Sequence, residues 1–436
     1  MKSVNFKLKA LSAIVAAGMM LMAGAASAQT VVGGGATLPQ PLYYDIFYLS
    51  PALVLGTWSY TGTGSGAGKK AFLTNNPQAT LGSEFYDENT RNRPIWPAST
   101  SPTPQTVHFV GSDSALTSSE LDTYMAAYNN GPVNNGALPG STVAYYGRLI
   151  QVPVVATPVL LPYRETNVTT LNLTTEQICR IFSFQLSARN WSQVTTAADD
   201  GGVGTANAIQ VVYRTGTSGT TELLSNFLHA SCGSYLPSGK SFTVSNDFKT
   251  VVASALPTLT AAQDANADGI PDVWVAATGS SGVETAAAVN HRLAYLSPSY
   301  LFSGTDNSAV AKINGFQPDA ASIQAALPAP PASTETDPLK WVPAYATTST
   351  AYPIYGTTNL LLGQCYAAGV GTGTAGAAVK DFLTKFNNGT YDTKITANNF
   401  VKLPTAWNDA INAAFLTSTS SQALGNTSVC NGIGRP

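Results

Sequence analysis

The sequence predicts an α/β protein of two domains, and two observations carry that prediction. Short runs rich in β-branched and aromatic residues alternate with helical periods through most of the chain, the pattern of strands interleaved with helices. The chain has 436 residues, more than one hydrophobic core usually serves.

Taken in order, the first 28 residues read as an export leader. Lys2, Lys7 and Lys9 precede an apolar run from Ala10 to Ala25, and Ala26-Ser27-Ala28 is a small-x-small cleavage site, so the mature chain is expected to begin at Gln29. No later segment is long and apolar enough to span a bilayer, so a soluble periplasmic or secreted protein is expected. Strands are expected at VHFVG (107–111), IQVVY (209–213) and VPVVATPVLL (152–161), the last broken or at a sheet edge near Pro158. Helices are expected at QPLYYDIF (40–47), TTEQICRIFSF (174–184), TTELLSNFLH (220–229), AAVKDFLTKF (377–386) and TAWNDAINAAFL (405–416). In the last of these Trp407, Ile411 and Phe415 form one apolar stripe, read as core. The segment 303–352, with LPAPPASTETDP at its centre, reads as a surface excursion because periodic structure resumes after it.

Cys179, Cys232, Cys365 and Cys430 are an even set in an exported chain, which points to two disulfides. Three connectivities are open. Pairing nearest neighbours, Cys179 with Cys232 and Cys365 with Cys430, is favoured because it staples each half within itself. Removing the leader takes three of the 22 basic residues and none of the 24 acidic ones, which leaves a balance of −5. Such a chain, without Lys/Arg runs, is not built for nucleic acid.

Four places share one pattern, a short Gly and Ser/Thr turn leading into a helix. They are GGGATLPQPLYYDIF (33–47), GTGSGAGKKAFL (62–73), RTGTSGTTELL (214–224) and TGSSGVETAAAV (278–289). The first N–H groups of a helix lack intrahelical acceptors and the dipole is positive there, so several such termini converging would surround a small anion with donors. One such turn alone is an ordinary helix cap. The second is no P-loop, since Thr63 stands five residues before Gly68 and Lys70 occupies the place of the magnesium-binding hydroxyl. Two charged residues add weight to the anion reading. Arg214 closes a strand just before the third turn and can present a fork to an oxyanion. Asp113, in VGSDSALT, follows another strand; a carboxylate there accepts a hydrogen bond from a protonated anion such as hydrogen phosphate and repels fully ionised sulfate.

GGGATLPQPLY, TGSGAGKKAFL, HFVGSDSALT, VVYRTGTSGTTELL and the closing GNTSVCNGIGRP, in order from Val31 to the C-terminus, together resemble the DING family, close relatives of the periplasmic phosphate-binding proteins that serve ABC transporters. The resemblance implies a two-lobed periplasmic binding protein-like fold of type II, with phosphate in the cleft between the lobes and the same two disulfides. It implies a ligand set of Thr37 and the N–H of Leu38 from GGGATL, Ser65 from GSG, Asp113 from GSD, and Arg214, Ser218, Gly219 and Thr220 from RTGTSGTT. Two departures stand out. The family's Asp-Ile-Asn start is replaced by Thr30-Val31-Val32, and the acid usually found two residues after the arginine is Gly216, which leaves Arg214 less neutralised. Lobe 1 is expected to hold 29–150 and 353–436, and lobe 2 to hold 151–352 with the Pro/Ala-rich excursion. The implied partners are inorganic phosphate and an ABC transporter permease, the protein being a monomer that closes on its ligand without a cofactor.

The alternative is a secreted DING-type alkaline phosphatase using the same cleft. Asp113-Ser114-Ala115 echoes the nucleophile motif of metal-dependent alkaline phosphatases, but His108, His229 and His291 are widely spaced and form no two-zinc ligand set. A metal-free version would use Asp113 as general base and Arg214 to stabilise the equatorial oxygens. A site that encloses phosphate with many donors holds its product, which works against turnover. One further stretch, DANADGIPD (264–272), sets Asp264, Asn266, Asp268 and Asp272 at the spacing of a calcium loop, with Gly269 at the turn. Val275 replaces the bidentate acid at the twelfth position, so it is no EF-hand, and a solvated turn is the favoured reading over a calcium-bound surface loop.

Overall fold

The computed structural model describes residues 30–75, 106–128, 146–202, 206–298, 310–431 and 433–436. The expected leader and its cleavage site lie outside the described residues.

Among the described residues the strands in chain order are β1 (Thr30–Gly35), β2 (Thr57–Gly62), β3 (Phe109–Ser112), β4 (Leu149–Pro158), β5 (Tyr163–Arg164), β6 (Asn172–Leu173), β7 (Gln210–Arg214), β8 (Val275–Ala277), β9 (Arg292–Ala294), β10 (Lys312–Ile313) and β11 (Tyr355–Gly363). One sheet runs β2-β1-β3-β11-β4 and a second runs β5-β9-β7-β8, with a small β10-β6 pair beside them. In the first sheet β1 is parallel to β2 and β3, while β11 is antiparallel to β3 and β4. In the second, β7 is parallel to β8 and β9. The all-buried ten-residue β4 ends at Pro158, where the sequence places the break.

Helices α1 (Gln40–Tyr44), α2 (Ser65–Thr74), α3 (Ser118–Tyr128), α4 (Thr175–Phe182), α5 (Ala197–Asp200), α6 (Gly219–Ser231), α7 (Phe248–Val252) and α8 (Gly279–Ala287) lie between the strands. The expected helix at 40–47 is shorter than read: α1 stops at Tyr44 and a wider π turn covers Asp45–Leu49. Likewise 405–416 is α-helical over Thr405–Ile411 and π-helical over Asn412–Leu416, with Trp407, Ile411 and Phe415 all buried as core.

The first triple glycine is not a loop. Gly33, Gly34 and Gly35 are strand β1, and the turn follows them. Their small size has a packing cause: a Cβ on Gly33 would sit 2.2 Å from the Phe109 ring. Gly35, at φ 122, also needs its missing Cβ, which would meet the Gly111 carbonyl at 2.3 Å. Phe109 belongs to an aromatic core with Phe47, Trp58 and Phe382, whose rings pack 4.8–6.1 Å apart.

The Pro/Ala-rich stretch, expected at the surface, is anchored in the core. Trp341 is buried with its ring packed edge-to-face on Phe415, centroids 4.6 Å apart, Tyr352 is buried, and Gln151 of β4 donates to the Pro338 carbonyl at 3.0 Å. Trp341 and Tyr352, with Ile323 and Ala326 of a short helix (Ala320–Ala326), hold it there. Cys179 pairs with Cys232, tying α4 to the end of α6, and Cys365 pairs with Cys430, tying the end of β11 to the C-terminal segment.

Candidate functional site

All four Gly/Ser/Thr turns begin at the C-terminal end of a strand, and the structure gathers them between the two sheets. After β1 the chain turns through Ala36, whose N–H donates to the Gly111 carbonyl at 2.8 Å, and presents Thr37 and Leu38, both buried. After β2, Gly64 at φ 91 donates its N–H to the Gly35 carbonyl at 2.7 Å and opens α2, placing Ser65 at its first position, fully buried. After β3 comes Asp113, whose N–H donates to Ser65 Oγ at 3.1 Å.

The second sheet supplies the opposite wall. Arg214 ends β7, and its N–H donates to the Tyr295 hydroxyl at 3.1 Å. Ser218 caps α6 by accepting from the Thr221 N–H, so Gly219 and Thr220 lie in the first turn of a 13-residue helix. Arg214 Nη1 donates to Thr37 Oγ1 at 3.2 Å, which joins the two walls. Gly219 lies so close to the first wall that a Cβ there would be 2.4 Å from Asp113 Cβ and 2.5 Å from Ser65 Oγ. Thr217 approaches Gly64 and Gly66 in the same way. Glycine at these positions lets backbone meet backbone and side chain across the junction.

Thr37, Ser65, Asp113, Arg214, Ser218, Gly219 and Thr220 therefore share one buried cluster, and Leu38 follows directly on Thr37. Two further residues belong to it that the sequence reading did not name. Thr358, on β11, donates to Asp113 Oδ1 at 2.7 Å across a separation of 245 residues, and nothing local marks it. Ser280 of α8 stands 3.2 Å from Arg214 Nη1 and 3.1 Å from Thr37 Oγ1. Its signal was present in the fourth turn, TGSSG.

Electrostatically the two charges are unlike. Burial pushes the Asp113 carboxyl up to about 7, helped by the nearby Glu222 charge, while the Thr358 and Ser65 bonds and Arg214 hold it back. Arg214, 7% exposed, is a buried fixed cation with hydroxyls in its first contacts. The cluster can thus surround a small oxyanion with a guanidinium, hydroxyls and helix N–H groups, and face it with one carboxyl that takes a proton near neutrality.

Metal chemistry finds no such gathering. Among the described residues no three His, Cys, Asp or Glu side chains come together as a metal site. His108 accepts from the Val32 N–H at 3.1 Å within the first sheet, with burial lowering it to about 4, His229 bonds the Phe242 carbonyl at 2.7 Å, and His291 pairs with Glu165 at 2.6 Å. In the 264–272 loop, Asp264 accepts from the N–H groups of Asp268 and Gly269, Asn266 from Asp268, and Asp272 from Ala265, while Asp268 pairs with Lys249 at 2.9 Å. These bonds shape the 264–272 loop as a set of Asx turns. Lys69, in the glycine-rich second turn, donates to the Ala115 carbonyl and pairs with Glu120, both at 2.9 Å.

Residues 23–388 match the model of the PBP superfamily domain. The chain is 38% identical over 420 residues to an alkaline phosphatase L of Pseudomonas aeruginosa, covering 94% of this chain and 95% of that one. It is 36% identical over 437 residues to a phosphate-binding protein from an unknown prokaryotic organism, covering 93% and 99%. Among solved structures it is similar to PfluDING, a high-affinity periplasmic phosphate-binding protein bound with phosphate, with a TM-score of 0.73 and 34% identity over 94% of this chain and 100% of that one. The matched span and the similarity over nearly the whole chain show that the chain belongs to the PBP superfamily and, within it, to the DING proteins.

Proposed function

We propose that this protein captures inorganic phosphate at the junction of its two sheets. One observation carries the reading: Thr37, Ser65, Asp113, Arg214 and the first turn of α6 come from both sheets into a single buried cluster. Arg214 supplies the attracting charge. Thr37, Ser65, Ser218 and Thr220 offer hydroxyls, and Leu38, Gly219 and Thr220 offer N–H groups. Asp113 accepts the hydrogen that hydrogen phosphate still carries and sulfate lacks. The relatives named as phosphate-binding proteins support this assignment.

The two sheets are then the cores of two lobes. β4 pairs along its whole length with β11, so lobe 1 extends to Pro158 and the crossovers fall at 158–163 and near 353. Ligand closes the lobes, and the closed monomer is what a transporter permease would recognise. Export is supported by the leader-like N-terminal sequence and by the periplasmic relative.

A second reading, phosphomonoester hydrolysis at the same place, draws on the relative named alkaline phosphatase L and on Asp113, a buried carboxyl near neutrality able to act as a base. Titration calorimetry on phosphate-stripped protein with phosphate and sulfate, beside p-nitrophenyl phosphate hydrolysis, separates the two. One-to-one phosphate binding without hydrolysis is expected. Hydrolysis abolished by Asp113→Asn would make the cluster an active site, and neither binding nor turnover would end both readings.

A further inference from the structure

The fourth Gly/Ser turn has no part in the ligand set above, yet it delivers a side chain into the middle of the cluster. Thr215 holds the turn against β7 and β8: its N–H donates to the Ala277 carbonyl at 2.9 Å and its hydroxyl lies 3.0 Å from that of Thr278. Gly279 follows at φ 70, a conformation suited to glycine, and turns the chain into α8. Ser280 is then 3% exposed, with its hydroxyl at one corner of a triangle whose others are Arg214 Nη1, at 3.2 Å, and Thr37 Oγ1, at 3.1 Å. The third side, Arg214 Nη1 to Thr37 Oγ1, is 3.2 Å.

Hydrogen-bond polarity gives this triangle a direction. A guanidinium only donates, so both hydroxyl oxygens accept from Arg214. Each hydroxyl has one hydrogen. If Thr37 gives its hydrogen to a phosphate oxygen, the 3.1 Å contact between the two hydroxyls must be donated by Ser280. We propose that Ser280 is a positioning residue for phosphate capture: anchored on Arg214, it spends its only hydrogen on Thr37 Oγ1 and so aims the Thr37 hydrogen at the anion. The inference rests on the phosphate reading above. Three polar groups bonded head to tail also polarise one another, which strengthens the last donor in the chain.

The test is a double-mutant cycle on the full mature protein, read as phosphate affinity by titration calorimetry. Ser280→Ala should weaken binding by about tenfold, the scale of one neutral hydrogen bond. Thr37→Val should weaken it at least as much, and adding Ser280→Ala to Thr37→Val should cost less than about twofold more, because the group that Ser280 aims is gone. Ser280→Thr should restore near-wild-type affinity. Ser280→Cys, close in size but a weak donor, should behave like the alanine variant and stands in for it if alanine impairs folding. Undiminished binding by the alanine or cysteine variant overturns the proposal. So do additive losses in the cycle, which would make Ser280 an independent contact or a merely structural residue. Wild-type protein that binds no phosphate overturns the receptor reading and this inference together.

Discussion

Arg214 and Asp113 enter the same cluster from different sheets, and their surroundings differ in kind. Arg214 is met by neutral hydroxyls, Thr37 and Ser280, and its charge is fixed at every physiological pH. Asp113 is met by a neutral donor, Thr358, but also by the repulsion of Glu222, and burial brings its carboxyl to about 7. The cation can attract any oxyanion. The carboxyl costs free energy to bury and repays it only with a ligand that brings a hydrogen. In the proposed phosphate reading, affinity and selectivity therefore fall to opposite walls.

The largest break in this comparison should come from the cationic side. Arg214→Met should weaken both phosphate binding and any residual sulfate binding by about a hundredfold, on the scale of a lost charge-assisted hydrogen bond at a buried site, as calorimetry would read. Equal retention of affinity would show that the helix N–H groups alone suffice. A smaller, more selective change is expected from Asp113→Asn. The amide can still accept from hydrogen phosphate and no longer repels sulfate, so phosphate should weaken by about tenfold while sulfate gains, and the ratio of the two affinities should collapse. Unchanged sulfate exclusion in that variant would remove Asp113 from the selective role.

The smallest effect is a pH dependence of stability in the phosphate-free protein. Asp113 and Glu222 are both raised to about 7 chiefly by burial, from ordinary values of 3.8 and 4.5. Across that window the folded protein holds protons that the unfolded chain has released, so the sign is fixed: stability falls as pH rises from about 4 to 7 and levels off above it. Thermal melts at low ionic strength should show this slope, and Asp113→Asn and Glu222→Gln should each flatten it in part. A wild-type slope in both variants would place the titration elsewhere.

The junctions were legible because each is a local event. A buried strand, a small-residue turn and a capped helix lie within about a dozen residues, and the alternation of β-branched and helical periods reveals them without any long-range knowledge. That is how Arg214 and Asp113 could be named at their strand ends, while Ser65 and Ser218, on turns marked in the same way, were implied by the family resemblance. The same local reading mistook Gly33–Gly35 for a loop, because glycine in a strand is explained only by the Phe109 ring that packs over it. It also left Trp341 in a surface excursion, since its partner Phe415 is far along the chain.

By itself, then, the sequence determined the strand-to-helix junctions, the even cysteine set and the chemistry of each turn, all of which depend on neighbours in the chain. Tertiary structure decided which turns meet. Thr358 reaches Asp113 only because β11 inserts antiparallel between β3 and β4, and Ser280 reaches Thr37 only because α8 follows the strand beside β7. Sheet order and lobe contact are set by long-range burial and backbone pairing, which no window of sequence contains.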